Sequence, residues 1–171
     1  MTTERDLTRR EFVATATAIG AAGLVTAPAL AGADRPRIAD PIRVGIVGCG
    51  GRGTGALIQA LKADTGSVLW AMGDLYPERL EPCLGYARAA LQEQDEERGT
   101  NAAASKLQAV PERRFSGFDA YAKVIASDVD VVLLTTPPAF RPQHLAAAVD
   151  AGKHVFCEKP VAVDAPGVRS V

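Results

Sequence analysis

The apolar positions of this chain fall into short runs separated by stretches of helical spacing. Ile42, Val44, Ile46 and Val47 form a short apolar strand that runs straight into glycines, after which Leu57, Ala60 and Leu61 recur at helical intervals. "SVLWAM" predicts a second strand ending at Gly73-Asp74, and "DLYPERLEPCLGYARAAL" predicts the helix that follows it. Residues 85–112 read as a solvated helix plus loop, with the charge run "QEQDEERGTN" as its wet face. "RRFSGF" holds a short third strand, and "DAYAKVIA" a short helix with Asp119 as its N-cap. Val131 to Leu134 is a nearly unbroken apolar run, the signature of a strand buried on both faces, and Pro137-Pro138 ends it. "HLAAAVDA" is the next helix, stopped by Gly152, and "HVFC" the next strand. Strand and helix in alternation predict an α/β fold, a doubly wound parallel sheet.

In such sheets ligands lie beyond the carboxyl ends of the strands. Four groups of residues fall at those ends. Gly48-Cys49-Gly50-Gly51-Arg52-Gly53 is a G-x-G-x-x-G between the first strand and its helix. Gly48 permits the tight turn, Gly50 admits a diphosphate close to the backbone, and Gly53 lets helix and strand pack closely. The helix N-terminus then offers free N–H groups to phosphate oxygens. Asp74, 21 residues beyond Gly53, stands where an acid binds the adenosine ribose hydroxyls, and it can equally serve as a helix N-cap. Its carboxylate repels a 2′-phosphate and favours NAD, while Arg52 offers a counter-charge that would admit NADP. Thr135-Thr136-Pro137 and Glu158-Lys159-Pro160 complete the set. Together they predict a Rossmann-type dinucleotide site, with no metal.

Composition narrows this reading. The 171 residues carry a net charge of −1 and 47% hydrophobic residues, which suits one domain with its own core. With no basic block and only 5% aromatic residues, a nucleic-acid partner is not expected. Cys49, Cys83 and Cys157 are widely spaced and form no C-x-x-C pair, so they read as free thiols, Cys49 and Cys157 packed at strand ends. No histidine partner for a catalytic cysteine is identifiable.

The N-terminus reads as an address. "TRREFV" is followed by an uncharged run from Phe12 to Ala33, which closes on Ala29-Leu30-Ala31 or Ala31-Gly32-Ala33. Paired arginines, a mildly apolar run and a small-x-small end make a twin-arginine signal peptide over residues 1–33. Gly20, Gly23 and Pro28 leave the run too weakly apolar for a stable membrane span. The expected organisation is signal, linker over 34–40 and nucleotide-binding domain over 41–171, with a periplasmic or otherwise exported location.

The segments "VGIVGCGGRGTG", "AMGD", "LLTTPP" and above all "AGKHVFCEKP" resemble the N-terminal half of the Gfo/Idh/MocA oxidoreductases, across about residues 41–171. The resemblance implies that Glu158 helps hold the nicotinamide ribose. It implies that Lys159 is catalytic, reaching the substrate hydroxyl that loses its proton as hydride leaves. It also implies that Thr136 and Pro137 line the dinucleotide groove and that Pro160 fixes the turn. Oxidised nicotinamide is positively charged, and a positive neighbour favours the neutral amine that acid–base work near neutral pH needs. Where many relatives carry a histidine, three residues after Pro138, this chain has Arg141. His144 is expected on a helix surface, and His154 is expected to be structural.

The family also has a second α/β domain that supplies most of the substrate pocket. On that ground the chain is expected to be a fragment with a sheet incomplete at its C-terminus, inactive alone and oligomeric only when full length. Three functions remain: an exported NAD(P)-dependent oxidoreductase acting on a sugar or cyclitol hydroxyl, an NAD-dependent glycosidase that oxidises the sugar transiently, and a non-catalytic dinucleotide-binding module. A methyltransferase is a weaker rival, because it has no use for Glu-Lys-Pro.

Overall fold

The computed structural model describes residues 40–171. The expected signal peptide and all but the last residue of the expected linker lie outside the described residues. From there strands and helices alternate: β1 (Ile42–Val47), α1 (Gly51–Ala63), β2 (Ser67–Asp74), α2 (Leu80–Arg98), α3 (Ala103–Lys106), β3 (Arg114–Ser116), α4 (Ala120–Ile125), β4 (Val131–Leu134), α5 (Arg141–Asp150), β5 (His154–Cys157) and α6 (Ala165–Ser170). The five strands form one parallel sheet in the order β3-β2-β1-β4-β5. The winding reverses direction at β1, so a crevice opens between the ends of β1 and β4, where such folds place their ligands.

The central strands β1, β2 and β4 are buried on both faces, which is why they read as nearly continuous apolar runs. On one face Val44, Ile46, Leu69 and Met72 pack against Leu57 and Leu61 of α1 and Leu84 and Leu91 of α2. On the other, Val47, Ala71, Val132 and Leu134 pack against Val124 and Ile125 of α4 and Ala148 of α5. Gly99 closes α2 and Gly152 follows α5, both at positive φ, where glycine carries no steric penalty.

Two polar residues depart from the sequence reading. Asp119 does precede α4, but its carboxylate pairs with Lys123 at 2.8 Å and makes no cap bond to the backbone. Lys106, inside the segment read as solvated, is buried. Its ammonium donates to the carbonyl oxygens of Leu61, Asp64 and Ser67 at 2.8, 2.5 and 3.2 Å. These carbonyls lie at and beyond the C-terminus of α1, so Lys106 satisfies acceptors that the helix leaves open and places a cation at its negative end. Burial lowers the pKa of this lysine from its ordinary value.

Candidate functional site

The turn from β1 into α1 is built by close backbone contact. Gly48 has φ near 100°, and a Cβ there would stand 2.8 Å from the backbone nitrogen of Thr136. Gly53 sits against the turn itself: a Cβ on it would lie 1.8 Å from the Gly48 carbonyl oxygen. Over Gly50 there is room, with only a guanidinium nitrogen of Arg79 within 4 Å, at 3.8 Å. Gly50 is the N-cap residue of α1 and makes no side-chain cap bond, so the first-turn N–H groups face an open cradle. The Thr135 hydroxyl lies 3.0 and 2.7 Å from the carbonyl oxygens of Val47 and Gly48. It braces the turn from β4.

Asp74 is buried at the end of β2 and holds two backbone donors. Its Oδ2 accepts from the Cys49 N–H at 2.6 Å and its Oδ1 from the Tyr76 N–H at 3.0 Å. The carboxylate therefore pins the glycine turn to β2 and shapes the Leu75-Tyr76 turn. No helix is capped by it. Arg79, which the sequence reading passed over, lies 4.0 Å from Asp74 Oδ1 and stacks over the Tyr76 ring at 4.8 Å.

At the other end of the groove, Glu158 at the end of β5 is buried and accepts from Arg52 Nε at 2.7 Å and from Arg52 Nη2. The hydrogen bond from Arg52 is the main reason its carboxyl is held below the usual carboxylate range. Arg52 is thus turned towards β5, and the positive charge beside Asp74 is Arg79. The sequence reading offered Arg52 as the counter-charge for a 2′-phosphate; in the structure Arg79 is the arginine nearer Asp74. Lys159 is exposed, and the Lys159–Pro160 peptide is cis. Arg141, at the start of α5, is buried and donates through Nη1 to the carbonyl oxygens of Glu158, at 2.6 Å, and of Pro160. It grips the backbone on both sides of Lys159.

His144 is likewise buried, contrary to its expected surface position. Its ring stacks on Tyr121 with centroids 4.1 Å apart and on Phe140 at 5.9 Å. Its Nδ1 is 3.3 Å from the Thr136 hydroxyl. Burial pushes its pKa down to about 4, so the ring is neutral around pH 7. His154 is exposed at the start of β5, where the sequence suggested a structural role.

Gly48, Gly50, Arg52, Gly53, Asp74, Thr135, Thr136, Pro137, Glu158 and Lys159, all expected at a ligand site, line one cavity of about 890 Å³, together with Arg79, Tyr121, Arg141 and His144. Its volume lies within the ~300–1,000 Å³ range of small-molecule sites. Cys49 and Gly51 do not line it. The Cys49 amide is spent on Asp74, and its thiol is buried beside Cys83. The neighbouring Cys83 thiol, together with burial, raises the Cys49 thiol well above its ordinary pKa. Among the described residues no group of three or more His, Cys, Asp or Glu is placed to hold a metal ion, and no helix is long and apolar enough to cross a membrane.

A parallel sheet with a glycine turn at its switch point and an acid at the end of β2 defines a nucleotide-binding α/β domain. Residues 42–171 match the oxidoreductase family GFO_IDH_MocA, with its NAD-binding Rossmann fold, and the chain belongs to that family. It is 31% identical over 123 residues to inositol 2-dehydrogenase 3 of Saccharopolyspora erythraea, covering 72% of this chain and 29% of that protein. It is 30% identical over 162 residues to a glycosyl hydrolase family 109 protein of Streptomyces coelicolor, covering 88% of this chain and 31% of that one. Among solved structures it resembles apo scyllo-inositol dehydrogenase from Lactobacillus casei, with a TM-score of 0.50 and 24% identity over 76% of this chain and 31% of the other; this likeness shows the fold. The chain spans less than a third of the length of these curated relatives.

Proposed function

We propose that this chain is the nucleotide-binding part of an exported oxidoreductase that takes hydride from a sugar or cyclitol hydroxyl carbon, with NAD as the preferred cofactor. The observation that carries this reading is the convergence of the glycine turn, Asp74, Glu158 and Lys159 on one cavity. The residues fit a dinucleotide. The cradle over Gly50 leaves room for a diphosphate, α1 offers it N–H donors, and Asp74 retains lone pairs for ribose hydroxyls. When bound, NAD supplies the hydride acceptor.

The chain's own residues supply position and a proton path. Glu158 orients the ribose at the nicotinamide end, sharing its carboxylate with Arg52. Lys159 accepts the hydroxyl proton as the carbon is oxidised, which fits its place on the cavity wall and its exposure to solvent. Thr136, held by the neutral ring of His144, lines the groove wall. A 2′-phosphate would meet both Asp74 and Arg79, so NADP is the secondary cofactor.

The similarity to the Streptomyces coelicolor protein supports a second reading, glycoside cleavage through transient oxidation with the cofactor recycled in place. One experiment separates the two. The full-length protein is incubated with NAD and a panel of inositols, sugars and chromogenic glycosides. A dehydrogenase accumulates NADH, a glycosidase releases aglycone without it, and NAD binding without either product leaves a non-catalytic module. Lys159→Met lowers turnover by roughly 10²–10⁴-fold, and unchanged turnover in that variant would remove Lys159 from the mechanism. Export through the twin-arginine route is proposed from residues 1–33 and tested by fractionating cells that carry the wild type or Arg9→Lys/Arg10→Lys.

A further inference from the structure

Lys159 stands on a stretch with little backbone support. The Glu158 N–H, just past β5, still donates to the Leu134 carbonyl oxygen at 3.1 Å. Among the described residues, no backbone–backbone hydrogen bond holds residues 159–163, and α6 starts only at Ala165. The chain there is held from the side instead. Arg141 donates through one nitrogen, Nη1, to the carbonyl oxygens of Glu158, at 2.6 Å, and of Pro160. The Cys157 thiol, 3.6 Å from the Glu158 carbonyl oxygen, adds only a weak bond. One nitrogen joined to carbonyls two residues apart closes a small ring around Lys159 and fixes the direction in which its side chain leaves the backbone. Arg141 is itself immobilised. It is 5% exposed at the start of α5, a helix anchored by Ala148 in the core and by the stack of His144 on Tyr121. Its Nε is buried without a hydrogen-bond partner. Burying a guanidinium on neutral carbonyls with one donor idle is costly, and local costs of this kind concentrate at functional sites.

We propose that Arg141 is a positioning residue: it fixes the backbone at Lys159 so that the amine stands beside the nicotinamide and reaches the substrate hydroxyl. This deepens the oxidoreductase reading and rests on it. Lysine has a flexible four-carbon stem, so a lysine exposed to solvent can be aimed only from its root. Arg141 acts on that root and touches neither substrate nor cofactor.

The test is acylation of the full-length protein by acetic anhydride, with saturating NAD or saturating NADH, read by mass spectrometry of the peptide that holds Lys159. Only the neutral amine reacts, and an oxidised nicotinamide beside it favours that form where a reduced one does not. In the wild type Lys159 should react at least about fivefold faster with NAD than with NADH. Lys123, exposed and outside the cavity lining, should show no difference. Arg141→Met should still bind NAD and bring the Lys159 ratio below roughly twofold. Arg141→Lys ends one bond short of Nη1 and should keep at most part of the ratio. A merely structural arginine would lower the melting temperature and leave the ratio alone. The wild-type ratio in either folded variant would therefore overturn the proposal and leave the oxidoreductase reading standing. If Arg141→Met does not fold, Arg141→Lys decides alone. Loss of NAD binding in a folded Arg141→Met, or failure of both variants to fold, would make the arginine structural and likewise overturn the proposal. Equal rates with NAD and NADH in the wild type, or no NAD binding there, would overturn the oxidoreductase reading and the proposal with it.

Discussion

Alanine at Gly53 and alanine at Gly55 are the same chemical change, two residues apart in one helix, and the structure assigns them opposite signs. In an exposed helix interior, glycine to alanine gains about 0.5–1 kcal/mol by reducing the entropy of the unfolded chain. A Cβ on Gly55 meets nothing within 4 Å, so Gly55→Ala should realise that gain. A Cβ on Gly53 would stand 1.8 Å from the Gly48 carbonyl oxygen, against a closest normal approach of 3.0 Å, and 2.6 Å from Thr135 Oγ1. The first of these partners is backbone and cannot swing aside, so α1 must move off the turn by about 1.2 Å. Overpacking of this kind costs about 1–3 kcal/mol, which outweighs the helical gain. The same shift lifts the first-turn N–H groups away from the diphosphate. Thermal melts of both variants with and without NAD are the assay. Gly53→Ala should melt below the wild type and bind NAD at least about tenfold more weakly, and Gly55→Ala should melt at or above the wild type. Equal stability of the two, with NAD affinity intact in Gly53→Ala, would refute the packing argument.

Three other outcomes follow from the geometry. Asp74→Asn removes one of two charge-assisted acceptors and leaves a donor facing the amide of Cys49 or Tyr76. It should destabilise the ligand-free domain by about 1.5–3 kcal/mol and also weaken NAD, and a melt unchanged without ligand would show that the carboxylate acts on ribose alone. Lys106→Met strips three carbonyls of their donor, for an expected loss of about 1.5–3 kcal/mol in urea unfolding; a neutral result would mean water replaces the ammonium. His144 is held neutral, with its pKa moved from 6.5 down to about 4. Its contribution to stability is complete above pH 6.5 and fades as pH falls towards 4, so His144→Leu should flatten that part of the stability–pH curve.

The sheet was legible because its signals are local. Apolar runs marked four of the five strands, with β3 only a short segment of "RRFSGF", and the glycine fingerprint with an acid at the end of β2 pointed to the ligand edge. What the sequence hid lies in contacts between distant residues. Arg52 could be assigned to either end of the groove until its partner, 106 positions away, was seen. Arg79 looked like one more charge in a helical stretch, although "DLYPER" places it one turn past Asp74 and could have flagged it. His144 lies in a run whose apolar pattern is weak, and only the rings of Tyr121 and Phe140 make its position buried. Lys106 sits in a polar, alanine-rich segment that resembles solvated surface, and three carbonyls from another part of the chain draw it inward. Asp119 had the residue type of a cap, but a nearby lysine competed for its carboxylate.

The bonds that tie the glycine turn to the other strand ends reach far along the chain. Cys49 meets Asp74 across 25 positions, Gly48 meets Thr135 across 87, and Arg52 meets Glu158 across 106. No fragment of the sheet can form the cavity early, because its walls come from the ends of β1, β2, β4 and β5. Dinucleotide affinity is therefore a certificate of completed folding: a chain that lacks β5, or has not yet docked it, has no Glu158 to hold Arg52. Ligand at a hundred times its dissociation constant would add about 2.7 kcal/mol to the finished state and nothing to its precursors, so the cofactor would act as a lock that closes only on the completed sheet.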